Sequence, residues 1–265
     1  MPLFLMNNVS FLELQTINSD VFAWLTVYGT NIDYPVVQGN DNLRYVNTNA
    51  KGRHAASGAI FLDYQNCPGF TDFNSIFYGH HMERQAMFGE IGLFWDSEFF
   101  AARRYGMLYW DGEMHGIEFF AFIHVDAFDR QIFRAGISDN DERQIYLDRI
   151  FDEAINIRND ISITVHDQII MLSTCSSRST NGRDILIGKL ISEVHDNPFE
   201  VERESVIFVI PMIDGITKFF IEFPFWVHLS ICMISFSLIF LLLLIICINH
   251  KKSKNYEILE REEAK

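Results

Sequence analysis

The run Ile169-Ile170-Met171-Leu172-Ser173-Thr174-Cys175 is apolar, strand-like and ends on a cysteine. Arg183, eight positions on, opens a second apolar run, Asp184-Ile185-Leu186-Ile187-Gly188-Lys189-Leu190-Ile191. Upstream, Ser75-Ile76-Phe77-Tyr78-Gly79-His80 is a short strand that ends on a histidine. A thiol, an imidazole and a guanidinium, each at a strand end, are the parts needed to attack an amide carbonyl and stabilise the resulting oxyanion. The residues after Cys175 are polar, so the thiol is expected at a loop mouth rather than in mid-core, where Arg178 and Arg183 would favour thiolate. Taken singly, each residue also has a bland reading. A cysteine after an apolar strand is most often a small buried hydrophobe. A strand-end histidine can be merely satisfied, the reading adopted for His54, His115, His124, His166 and His195. An arginine is by default a solvated charge. Arg178 competes with Arg183 for the oxyanion, and His81 with His80 for the proton transfers. Ser173 and Thr174 are candidates to hydrogen-bond a bound peptide, although hydroxyl residues are common in strands for structural reasons.

The elements that must position these residues are mostly short strands. Residues 10–23 read as an amphipathic helix leading to a strand at 24–27. A turn at Gly29-Thr30-Asn31 precedes a strand at 32–38, whose Pro35 favours an edge position. Residues 59–63 and 75–78 form short strands around a Cys67-Pro68-Gly69 loop. Residues 86–103 read as a helix with Phe88, Ile91, Phe94 or Trp95, and Phe99 on one side. Strands at 106–110 and 117–125 form a hairpin around Asp111-Gly112-Glu113. Residues 139–159 carry the clearest helical pattern, with an Asp139/Glu142 capping box and Tyr146, Ile150, Ala154 and Ile157 on one face. Strands at 169–174 and 185–191 complete the sheet. This succession predicts a mainly β fold, a closed barrel of about eight strands with a few helices.

Several blocks in this order resemble the sortases, and most closely class B sortases, the membrane-tethered cysteine transpeptidases of Gram-positive bacteria. They are Ala23-Trp24-Leu25, the stretch from Gly29 to Gly39, Ala59-Ile60-Phe61-Leu62-Asp63-Tyr64, Phe77-Tyr78-Gly79-His80, Met87-Phe88-Gly89 and Leu172-Ser173-Thr174-Cys175, with Arg183 beyond them. The resemblance implies that Cys175 is the nucleophile, His80 the acid–base and Arg183 the oxyanion donor. It implies attack at a C-terminal sorting motif of surface proteins or pilins, a thioacyl-enzyme, and transfer to an amine of a cell-wall precursor or a pilin lysine. A helix just before the nucleophile's strand distinguishes class B, which fits residues 139–159. Some class B members carry an acidic residue two positions after the cysteine, where this chain has Ser177, and Asn where it has His81. Two other readings stay open at this point, a hydrolytic cysteine peptidase of the same fold and a non-catalytic wall-binding module.

Composition narrows the class further. The chain has 265 residues, 49% of them apolar, and a formal net charge of −14 from 21 basic and 35 acidic residues. That balance argues against a nucleic-acid partner, whose footprint is a basic patch. Cysteines at 67, 175, 232 and 247 form no CxxC or zinc-spaced cluster, and no cofactor or metal is expected. A Cys67–Cys175 disulfide would consume the candidate nucleophile, so two free thiols are expected.

Residues 225–248 contain no Asp, Glu, Lys or Arg, long enough to span a bilayer, with Phe223, Phe225 and Trp226 at one edge and Lys251, Lys252 and Lys254 after the other. The lysines place the C-terminus in the cytoplasm and the barrel outside. No Lys or Arg precedes Arg44, so the basic start of a signal peptide is missing. Class B sortases usually have an N-terminal membrane segment. Either the C-terminal span directs insertion or a leader lies upstream of this sequence. The expected organisation is a lead-in at 1–18, a catalytic barrel at 19–194, a juxtamembrane linker at 195–224, a transmembrane helix at 225–248 and a tail at 249–265.

Overall fold

The computed structural model describes residues 11–199, and the segments expected to form the membrane span and cytoplasmic tail lie outside them. Among the described residues no helix is long and apolar enough to cross a membrane. Helix α1 (Phe11–Ile17) buries Phe11 and Leu14, one turn apart, against Trp24, Tyr45 and Met107. It ends sooner than the pattern predicts. Asn18 turns its side chain to Tyr45 Oη and the Ala50 carbonyl and accepts from the Asp20 amide, making a turn instead of another helical residue.

Strand β1 (Val21–Val27) lies antiparallel to β2 (Asp33–Val37), which runs parallel to β3 (Ile60–Leu62). Next come β4 (Asn74–Tyr78), antiparallel to β3, and β8 (Ile169–Cys175), parallel to β4. Antiparallel β9 (Gly182–Ile191) and β6 (Glu113–Asp126) follow, and β5 (Tyr105–Trp110) joins β6 back to β1. Eight strands thus close on themselves, as the sequence predicts. Strand β7 (Ala154–Ile157) adds to β6 beyond the end of β5. The β5–β6 turn is Asp111-Gly112, with φ of +50° and +83°, the two-residue left-handed pair whose twist suits a hairpin.

Side chains from all eight barrel strands fill the interior, among them Leu25, Val36, Ile60, Phe77, Leu108, Phe119, Ile170 and Leu186. A second apolar layer lies outside, where Tyr146, Leu147 and Ile150 of α3 (Asn140–Asp152) cover Ile76, Ile123, Met171, Ile185 and Ile187. Being buried on both faces explains why β8 and β9 read as unbroken apolar runs rather than alternating ones. Each fully buried Ile or Leu there contributes about 1.5–3 kcal/mol.

Four further local expectations fail. The helix expected at 86–103 is a 3-10 turn, Ile91–Trp95, and a separate short α2 (Ser97–Ala102). Asp96 divides them by accepting the Glu98 and Phe99 amides as an N-cap, and extended backbone at a cap cannot continue a helix. The helix expected to reach 159 stops at Asp152, because Ala154, Asn156 and β-branched Ile157 pair with β6 and the Asn156 side chain donates to the Phe94 and Trp95 carbonyls. Tyr146 and Ile150 therefore share the helix face without Ala154 and Ile157. Asp139 caps α3 by accepting from Asp141 and Glu142, but Glu142 pairs with Arg134 instead of completing a capping box. Pro35, predicted at an edge, lies in a strand paired on both sides; pairing to β3 starts only at Val36, one residue past the proline.

Candidate active site

The β8–β9 hairpin closes on the pair Cys175 and Arg183, which face each other across the last rung of the ladder. Because β4 runs parallel to β8, with Tyr78 beside Ser173, the two strands deliver their chemistry to the same end of the barrel. One further hydrogen bond, Gly79 N to Ser173 O at 3.2 Å, carries the register to the residue before His80. A single cleft of about 380 Å³ is bordered by His80, Ser173, Thr174, Cys175 and Arg183, together with Asn42, Val46, Phe61, Tyr78, Ala127 and Phe133. All five residues singled out from the sequence border it. His81 does not; it forms an isolated bridge with Met87.

His80 Nε2 lies 2.8 Å from the Val46 carbonyl oxygen. A carbonyl only accepts, so Nε2 carries a hydrogen and Nδ1 is the nitrogen left to exchange a proton. Cys175 is exposed, as expected of a thiol at a loop mouth, and is unbridged. Cys67, the other free cysteine among the described residues, lies in the loop that leads into the start of β4, at the opposite end of β8. Arg183 is half-buried and donates to the Gly182 carbonyl at 3.0 Å.

Strand alternation sorts the neighbours of Cys175. Ile169 and Met171 belong to the outer layer and Ile170 and Leu172 to the interior, so Ser173 shares the outer face with Cys175 while Thr174 takes the inner one. Both hydroxyls are buried and have no hydrogen-bond partner among the described residues. An unsatisfied buried hydroxyl costs about 1–3 kcal/mol, which a bound peptide could offset at Ser173.

The wall opposite was not legible in the sequence. Asn42 and Val46 come from the β2–β3 connection, and Ala127 and Phe133 from the segment between β6 and α3, neither of which carries a periodic pattern. Beneath this wall, Asp63 is buried and accepts from Tyr78 Oη at 3.0 Å and Asn42 Nδ2 at 2.8 Å. Burial, reinforced by the Asp63 charge, pushes the Tyr78 phenol well above its ordinary range and keeps it a neutral donor. Phe133 stacks on the same ring with centroids 6.4 Å apart. The cleft therefore joins a thiol, an imidazole and a guanidinium to an apolar wall with a few fixed polar groups, the parts a peptide-binding acyl-transfer site would need. Arg178, the competitor for the oxyanion, does not border the cleft. It hydrogen-bonds the Gly92 carbonyl and lies over Trp95, behind the hairpin.

The comparisons agree with the fold. No family model matches the chain. Sortase B of Listeria monocytogenes is 32% identical over 184 residues, spanning 68% of this chain and 74% of that protein. Sortase B from the type II pilus of Streptococcus pneumoniae is 46% identical, with a TM-score of 0.60, over 68% of this chain and 98% of that one. A Streptococcus pyogenes class B sortase involved in pilus biogenesis is 40% identical, with a TM-score of 0.63, over 69% and 98%. A closed barrel with a cysteine, a histidine and an arginine at three strand ends defines the class, a sortase-type cysteine transpeptidase. Within that class, the chain belongs to the sortase B family.

Proposed function

We propose that Cys175 cleaves a C-terminal sorting signal and passes the acyl group to an amine, and that His80 and Arg183 serve that reaction. The meeting of these three side chains in one cleft, beside the unpartnered Ser173 hydroxyl, carries the reading. The Cys175 thiolate attacks the carbonyl carbon of the amide after a Thr. Arg183, directly across the ladder, donates to the oxyanion as negative charge develops there. His80, held through Nε2, gives a proton from Nδ1 to the leaving amine as the C–N bond breaks, which leaves a thioacyl-enzyme. An incoming amine then attacks that carbonyl, His80 takes its proton, and the thiolate departs. Ser173, on the face of Cys175, hydrogen-bonds the peptide backbone, and Thr174 completes the cleft edge.

Relatives named for a type II pilus and for pilus biogenesis favour a pilin lysine as the acceptor over a cell-wall cross-bridge. Residues 225–248 would anchor the barrel outside the membrane with the C-terminus in the cytoplasm. Incubating the enzyme with a sorting peptide, with and without a lysine-bearing pilin segment, tests the reaction. Amide product that depends on the amine supports transfer; free acid alone, with the amine present, would make the enzyme a hydrolase. Protease applied to protoplasts should remove the barrel and spare a tag fused after Lys265. Loss of that tag would reverse the orientation.

A further inference from the structure

The residue after Arg183 is a carboxylate in the wrong place for a solvated charge. Asp184 is fully buried and opens the apolar run of β9. Arg183 shares the outer face with Ile185 and Ile187, so Asp184 points with Leu186 to the inner side, behind the cleft. It is opposite Thr174, as Arg183 is opposite Cys175. The two rungs that end the hairpin are thus back to back, one presenting candidate chemistry and the other a buried anion.

That anion is compensated by the loop the hairpin must hold. Asp184 Oδ1 accepts from His124 Nδ1 at 2.8 Å, and its Oδ2 lies 3.5 Å from Arg178 Nη1. The other ring nitrogen of His124 is 3.3 Å from Ser179 Oγ, and Arg178 donates both terminal nitrogens to the Gly92 carbonyl. Trp95 covers the assembly, 4.4 Å from the Arg178 guanidinium carbon and 5.7 Å from the His124 ring. Two adjacent residues of the short connection from Cys175 to Arg183 are therefore tied to one carboxylate, directly or through an imidazole. Glycines make the room. A Cβ on Gly92 would come within 3.0 Å of Asp184 Oδ2, and one on Gly182 within 2.1 Å of Ser179 Oγ. Ser179, His124 and Asp184 line up as in a charge relay. The same carboxylate also faces Arg178, so the line serves to fix the loop rather than to activate a second nucleophile.

We infer that Asp184 is a positioning residue, acting through Arg178 and His124 to hold the β8–β9 loop clear of Cys175 and to set Arg183 beside it. None of the three borders the cleft, so each acts only through Cys175 and Arg183. This rests on the catalytic reading above, and the two fail separately. Turnover in Cys175→Ala would end that reading, whereas a dead Cys175→Ala with unimpaired network variants would end this one.

The test is steady-state kinetics of the full chain with one sorting peptide, comparing Arg178→Ala, Arg178→Lys, Asp184→Asn and the double variant Arg178→Ala/Asp184→Asn. Misplacing catalytic groups without touching them costs about tenfold to a hundredfold, so Arg178→Ala and Asp184→Asn should each lower kcat by that factor with KM within about twofold. The double variant should be no worse than the poorer single one, because both break one device. Arg178→Lys, which can still reach Asp184 and Gly92 O, should recover most of the loss. If burial makes Asp184→Asn unfold, Arg178→Ala and its lysine rescue decide, since Arg178 is partly exposed. Either single variant turning over within about twofold of the parent, multiplicative losses in the double variant, or a failed lysine rescue would overturn the assignment.

Discussion

Removing the Arg183 guanidinium should cost far more barrier than removing that of Arg178. Arg183 is the cross-strand partner of Cys175, and side chains so paired start with Cβ atoms about 4.5–5.5 Å apart. An arginine can arch from there over an acyl group on sulfur, while its hydrogen bond to the Gly182 carbonyl holds one terminal nitrogen. It is half-buried, so its field is less screened than that of an exposed charge. Deleting one preorganised oxyanion donor costs about 2.7–4 kcal/mol, a loss of about a hundredfold to a thousandfold in kcat. Arg183→Ala should show that loss in kcat with little change in KM, because the charge it stabilises exists only in the transition state. Arg183→Lys keeps the charge and loses the planar fork, so it should recover little. The assay is initial-rate cleavage of one sorting peptide, compared with Arg178→Ala, whose smaller loss comes through loop position. Arg178→Ala crippled by a thousandfold beside a healthy Arg183→Ala would refute the reasoning.

His80→Ala should lower kcat by at least about a hundredfold, the scale of lost acid–base catalysis, while His81→Ala, outside the cleft, stays close to the parent; kinetics on the pair checks this. Cys67→Ala should be silent in the same assay. Hydrogen bonds from the Thr71 hydroxyl and from the Gly69 and Thr71 amides nevertheless lower the Cys67 thiol below its ordinary pKa. Iodoacetamide should therefore label both thiols of the described region near neutral pH, with activity lost only in step with Cys175. Asp139→Ala removes the cap of α3 and should lower stability by about 1 kcal/mol, read as a shift in the denaturant midpoint. Ile150→Ala, on the buried face of the same helix, should cost about 2–5 kcal/mol.

The strand ends were legible because each apolar run begins or stops beside a candidate residue. Cys175, Arg183 and His80 fall where a pattern ends, and parallel and antiparallel pairing then has only one end of the barrel to bring them to. The hairpin at Asp111-Gly112 and the Asp139 cap were legible for the same reason, a local rule with a local cause. Boundaries set by tertiary partners were not. Nothing in the helical pattern of 139–159 says that Asn156 will reach the Phe94 and Trp95 carbonyls, nor that Asp96 will start a new helix. Asn42, Val46 and Phe133 reach the cleft from connections without periodicity, so only their three-dimensional placement reveals them. Asp184 left a faint signal, a carboxylate entering a run of buried residues. Its partners His124 and Arg178 are too far apart in sequence to be recognised as one unit.

The most direct test of the account is intact-protein mass spectrometry of the enzyme mixed with a sorting peptide in the absence of an amine, followed by peptide mapping. The parent enzyme should gain the mass of the acyl fragment on the peptide that contains Cys175, and should lose it when an amine acceptor is added. Cys175→Ala should gain nothing and cleave nothing. An adduct mapped to another residue, or cleavage retained in Cys175→Ala, would contradict the assignment of this cleft as the site of acyl transfer.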